Sequence, residues 1–338
     1  MRKKMPSIHS GFVGLIFFLF FALSVNNTAF SQTTPEEAVE LWNLRQTEIQ
    51  QFYQEGNLEG ALNSAQEAVS LAETAFGSGS LETISSLLLQ AQIHSEMDQL
   101  EEANQIYQVT LETSVASFGE SDATTLSVLD NYGEFLNSID PEMAEPVFQE
   151  ALQLSSEDDP QRASRMKAVG LNLLELGRII EAEEMLKQAL KTFKEISGEK
   201  NTEALSAMAS LAQLYMSQGK LKHAQELFET ALPMMLEALD ETSFLILESK
   251  ENLAEIYRQQ GKYSQAETLF LQSMKAAEAE YGEEDPLVVQ AKSHLAQLYE
   301  DTGKLKQALA FHQQVYEIDS ELLGEKHPNT AGDLNNLA

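Results

Sequence analysis

One spacing governs this sequence: its anchor residues return every 42 positions. Leu211-Ala212, Tyr215, Gly219, Ala224, Phe228 and Ala231 recur as Leu253-Ala254, Tyr257, Gly261, Ala266, Phe270 and Ser273. They recur again as Leu295-Ala296, Tyr299, Gly303, Ala308, His312 and Val315. Gly198, Asp240, Gly282 and Gly324 keep the same step between units, as do Phe76-Gly77 and Phe118-Gly119 upstream. A period of this size marks an array in which each unit buries its apolar face on its neighbours, so a long chain needs no single core. The apolar anchors fall on one helical stripe, and no useful β-type alternation occurs. Each unit therefore reads as helix A, a tight turn, helix B and a polar connector. Small Ala254 and Ala266 let the two helices cross closely, Tyr257 and Phe270 fill the space beside the crossing, and Gly261 supplies a left-handed cap.

Earlier units follow the pattern with drift. Ala91, His94, Ala103 and Tyr107 mark one; Phe52, Gly56, Ala61 and Ala65 mark another; Gly170, Gly177, Ala182, Leu186 and Ala189 mark a third. Gly119 to Gly198 spans 79 residues where two repeats need 84, so one unit is short. The missing residues fall in the turn, Asn137 to Met143, and near Leu154 to Pro160. Pro141 suits the first position of a helix, whereas Pro146 falls inside one and should kink or delay it. This unit reads as a degenerate repeat that the array tolerates, with a local change of path as the alternative.

The Leu-Ala-x-x-Tyr, Gly, Ala-x-x-x-Phe pattern resembles the tetratricopeptide repeat. The 42-residue period, the connector Leu323-Gly324-Glu325-Lys326-His327-Pro328-Asn329-Thr330 and the stretch Leu334-Asn335-Asn336-Leu337-Ala338 resemble its kinesin-light-chain subtype. The resemblance implies an all-α, right-handed superhelical solenoid of antiparallel helix pairs over residues 35–338. The units run at about 35–77, 78–119, an irregular 120–156, 157–198, 199–240, 241–282, 283–324 and a partial 325–338. Only the last connector keeps His-Pro, and Asp240 stands where the connector glycine is expected. The last unit stops in the middle of helix A, which reads either as a cap or as a chain that continues.

Residues 1–31 read as an export signal. Arg2, Lys3 and Lys4 precede the apolar run Gly11 to Val25, and Ala29-Phe30-Ser31 forms a small-x-small site, which places cleavage between Ser31 and Gln32. As a helix that run would reach about 22 Å at 1.5 Å per residue, short of the ~30 Å hydrocarbon core, which disfavours an anchor. The chain is then exported, to a periplasm or outside the cell.

Charge and cysteine count bound the chemistry. The chain carries 53 acids against 22 bases, a formal charge of −31, and without Arg2, Lys3 and Lys4 it is more acidic still. Such a chain is a poor match for nucleic acid, whose phosphates require a basic face, and for an anionic membrane. It has no cysteine, hence no disulfide, thiol nucleophile, iron–sulfur cluster or thiolate zinc site. The histidines lack the His-x-x-x-His spacing of a metal pair on one helix. Gly219-Lys220, Gly261-Lys262 and Gly303-Lys304 lack the rest of a phosphate loop and read as turns, with lysine at the negative end of helix A. The expectation is no catalysis, no cofactor and no metal.

In proteins with this resemblance, helix A lines a concave groove that takes a peptide or a partner helix. The candidate groove residues are Ser206, Gln213, Glu248, Asn252, Glu255, Arg258, Gln259, Gln290, His294, Gln297 and Asp301. Ala209, Ser210, Met216, Ser217, Glu251, Ser293 and Glu300 complete the outward positions. Asn252 and Asn336 match the asparagine that related repeats use to hold a peptide backbone, which suits an amide because it donates and accepts at once. The Lys and Arg of a carboxylate clamp are missing, and Arg258 sits beside Glu255 and Glu251. The groove therefore suits a basic or neutral partner rather than an acidic peptide. The expected function is an exported protein-interaction scaffold. The alternatives are the recruiting or sensor part of a larger peptidase or kinase continuing past Ala338, and an envelope protein that self-associates end to end.

Overall fold

The computed structural model describes residues 33–337, which contain fifteen α-helices and no strand. The signal segment, with Ser31 and Gln32, lies outside the described residues. The chain divides into two compact units at Asp140/Pro141.

The first unit contains α1 (Pro35–Gln54), α2 (Leu58–Phe76), α3 (Leu81–Glu96), α4 (Leu100–Phe118) and α5 (Ala123–Ile139). Helix α1 starts from a capping box, in which Thr34 and Glu37 satisfy each other's backbone N–H. Ile49, Ala61, Ala65, Ala68 and Ile93 form the core of α1, α2 and α3, with Trp42, Phe52 and Leu89 against it. The Trp42 indole donates to Ser86 Oγ at 3.0 Å, so its one polar atom is satisfied. His94 occupies a buried aromatic position, with Nδ1 2.6 Å from Gln99 Oε1.

The second unit contains α6 (Pro141–Leu154), α7 (Arg162–Glu175), α8 (Ile179–Ser197), α9 (Thr202–Ser217), α10 (Leu221–Ala238), α11 (Phe244–Gln259), α12 (Tyr263–Tyr281), α13 (Pro286–Asp301), α14 (Leu305–Leu322) and α15 (Pro328–Leu337). Helices α7, α9, α11 and α13 are A helices and α8, α10, α12 and α14 their B partners. Ala212, Ala254, Ala296, Ala224 and Ala266 have no exposed surface. Phe228 and Phe270 are equally buried, each contributing about 1.5–3 kcal/mol of apolar burial.

Gly261, at φ +73°, shows why the turns need glycine: Lys262 N–H donates to Tyr257 O at 2.8 Å, closing helix A with a Schellman cap. In the first unit Asp98 takes that position at φ +59°, a conformation that acidic and amide side chains tolerate better than most. The short stretch at residues 120–156 departs from the pattern. No residue intervenes between the α5 cap Asp140 and Pro141, no glycine turn forms, and α5 and α6 fall in different compact units. Pro146 lies inside α6, where it forgoes the bond to the Glu142 carbonyl, and the helix nevertheless continues to Leu154.

Candidate functional site

Four successive A helices of the second unit hold one another through side chains on a common face. Lys167 of α7 donates to Glu203 at 3.0 Å and to Ser206 Oγ at 3.2 Å on α9. Gln213 of α9 donates to Glu248 Oε1 of α11 at 2.8 Å. Arg258 of α11 forks onto both oxygens of Glu255, at 2.7 and 2.8 Å, and also pairs with Asp301 of α13. Gln259 adds a bond to Glu255 at 2.8 Å. His294 of α13 has Nδ1 3.3 Å from Glu251 Oε2 of α11, without the alignment of a hydrogen bond, while its ring lies against Phe270 with centroids 5.2 Å apart.

The candidate residues thus fall into linked groups. Ser206 joins Lys167, Gln213 joins Glu248, and Glu255, Arg258, Gln259 and Asp301 form one cluster. Burial alone would push the Glu255 carboxyl up, but the bonds from Arg258 and Gln259 hold it below the ordinary carboxylate range. Those same carboxylates push the Arg258 guanidinium up, so both groups remain charged through the neutral range. Asn252, Gln290 and Gln297 are different: their side-chain amides bond to no other described residue. Asn252 is half-buried, and Gln290 and Gln297 are exposed.

Three outward assignments are corrected. Ala209, Ser210 and Glu251 are buried, because a neighbouring A helix covers one flank of the stripe that a lone helix would expose. Glu251 still has its charge satisfied in part, accepting from Ser273 Oγ at 3.0 Å. Arg258, the one strong base among the candidate residues, is bonded to two acids. Sequence reasoning also missed Lys167 and Glu203, whose pairing across 36 residues no spacing rule exposes.

It missed a second recurring device as well. Tyr215, Tyr257 and Tyr299 of the A helices each donate their phenol to a carboxylate on the preceding B helix: Glu183 at 3.1 Å, Glu229 at 2.7 Å and Glu267 at 2.9 Å. The turn lysines Lys220, Lys262 and Lys304 lie over those rings, 5.0–5.3 Å from the centroids. Lys220 and Lys304 also bond to the same carboxylates, Glu183 and Glu267. Bonds led by that from Lys187 hold the Glu183 carboxyl down to about 2. Burial, and then the bond to Glu267, push the Tyr299 phenol up to about 12. The signal was present in the sequence as the recurring Gly-Lys, read there only as a turn.

Among the described residues no three His, Asp or Glu gather as around a metal, and no helix is long and apolar enough to cross a membrane. The family model of the tetratricopeptide repeat matches residues 161–237, 245–321 and 288–338. No curated protein sequence matches the chain. Among solved structures, a tetratricopeptide repeat protein from Parabacteroides merdae is similar at TM-score 0.57 and 16% identity, over 88% of this chain and 99% of that one. BtubC (BKLC) from P. vanneervenii is similar at TM-score 0.54 and 18% identity, over 73% of this chain and 94% of that one. A signal transduction ATPase with numerous domains from Pyrococcus horikoshii, described as having a tetratricopeptide repeat sensor, is similar at TM-score 0.63 and 17% identity. That likeness covers 86% of this chain and 43% of the Pyrococcus protein. At these identities the likeness is one of fold.

Proposed function

This chain belongs to the tetratricopeptide-repeat family, and on that premise we propose that it is an exported, non-enzymatic scaffold that binds a polypeptide on the A-helix face of α9, α11 and α13. Tetratricopeptide-repeat proteins bind other proteins, and their specificity lies in the side chains of the array. One observation carries the reading to this face: Asn252, Gln290 and Gln297 keep unspent amides beside a Glu255–Arg258–Asp301 cluster that fixes the helices holding them. Amides in that setting suit the backbone of an extended peptide or a partner helix.

The partner is basic or neutral. The chain's charge of −31 steers it in, and Arg258 is already paired with Glu255 and Asp301, which sets it against an acidic peptide end. Nucleic acid is disfavoured by the same charge. The repeat boundaries, the 42-residue kinesin-light-chain subtype and the signal with cleavage at Ser31–Gln32 belong to this proposal. A second reading makes the array the recruiting or sensor part of a larger enzyme, an arrangement the Pyrococcus protein exemplifies.

The test is affinity capture on the immobilised protein from an envelope fraction of its native cells at low salt, followed by a salt gradient. A basic or neutral protein released as salt rises is expected. Capture of nothing, or of an acidic protein indifferent to salt, would overturn the reading.

A further inference from the structure

The tyrosine position of helix A is occupied by a ring in every A helix from α9 to α13, and by leucine in α7. Leu173 stands 42 residues before Tyr215, as Gly177 stands before Gly219 and Arg178 before Lys220. In the first unit the matching positions hold Phe52, His94 and Leu136, and Tyr132, one turn before Leu136, donates to Asn104 Oδ1 of the preceding B helix at 2.8 Å. The ion pair that flanks the ring elsewhere is kept around Leu173. Arg178 makes the cross-repeat pair with Glu145 of α6, as Lys220 does with Glu183. Gln149 of α6 stands where Lys187 covers the Tyr215 ring, and Glu181 where His223 lies 5.5 Å from it.

The missing ring leaves space. An open cavity of about 480 Å³ lies here, within the range of ligand sites, with Val169, Leu173, Leu152 and Met185 as its apolar wall and Gln149 and Arg178 among its polar lining. Val169 and Leu173 are each 3% exposed, so the wall is a fixed part of the core. Gln149 donates its amide to Glu145 Oε1 at 2.7 Å, which leaves its carbonyl oxygen to accept another bond.

We propose that this cavity takes an aromatic side chain, a tyrosine, presented by a polypeptide partner. The incoming ring occupies the frame that Tyr215, Tyr257 and Tyr299 occupy from within, its face beside the Arg178 guanidinium and its hydroxyl donating to Gln149. That the ring arrives on a polypeptide rests on the protein-binding reading above. The cavity shares no residue with the A-helix face, so the two sites stand or fall separately.

The probe is p-cresol, the tyrosine side chain alone, titrated into the full protein with the methionine methyl groups followed by NMR. Saturable binding that shifts the Met185 methyl upfield by ring current is expected. Leu173→Tyr, which supplies the ring from the protein itself, loses that binding while retaining its helix content. Absence of saturable binding, shifts confined to other methionines such as Met208 and Met216, or full binding by a folded Leu173→Tyr protein would overturn the proposal. Should Leu173→Tyr fail to fold, the Met185 shift in the unaltered protein decides alone. Because p-cresol needs no partner, its failure to bind here leaves the A-helix face untouched, and a failed capture experiment leaves this cavity untouched.

Discussion

At the scale of single residues, the same few atoms do different jobs in successive repeats. A turn lysine reads from sequence as a charge near a helix end. In the folded protein it covers a tyrosine and, at Lys220 and Lys304, reaches the carboxylate that the tyrosine bonds. The reach could not be read from spacing, because the carboxylate sits 37 residues away on another helix. Tyr299→Phe removes one phenol and leaves the ring, so it isolates the bond to Glu267. Urea denaturation should show a loss of about 1 kcal/mol. The acid limb follows from Glu183, whose carboxyl is lowered from 4.5 to about 2. A lowered carboxyl contributes stability that is complete above its unfolded value and is lost as pH falls through the folded one. Stability should therefore decline between pH 4.5 and about 2, and Glu183→Gln should flatten part of that decline in thermal melts.

The helix pair is the element, and its pattern was legible because each anchor has one physical task. The small positions were read as close crossings. Gly170 shows how close: a Cβ there would stand 2.8 Å from Leu186 Cγ and 3.3 Å from its backbone N. Gly170→Ala should cost about 1–3 kcal/mol through overpacking, seen as a shifted urea midpoint. Gly261→Ala meets nothing within 4 Å and should cost only the backbone strain of φ +73°, about 1–2 kcal/mol. Less legible was the flank of helix A. Ala209, Ser210 and Glu251 look outward on an isolated helical wheel, but a stacked neighbour buries them. A periodicity names the face toward the partner helix, and the next repeat's contribution depends on stacking geometry that no single helix encodes. The short stretch at 120–156 was recognised by its length, yet its division between two compact units could not be read from residue counts.

At the scale of the whole molecule, the proposed function rests on the chain's charge and on its A-helix face. The candidate positions were legible in the sequence, and which of their polar groups are already engaged was much less so. Arg258, Glu255 and Asp301 are engaged with one another, whereas Asn252, Gln290 and Gln297 remain available. Ion pairs across A helices fall between residues about one period apart, and whether two such side chains meet depends on their rotamers. The central claim is that a polypeptide binds this face. The direct test places a photo-crosslinking residue singly at Gln290 or Gln297 on α13, and at Lys222 on α10 or Thr268 on α12 as exposed B-helix controls, in the protein expressed in its native cells. The account predicts a discrete crosslinked protein from Gln290 and Gln297 that weakens as salt rises, and none from the controls. Equal crosslinking from both sets, or crosslinking from Lys222 and Thr268 alone, would contradict it.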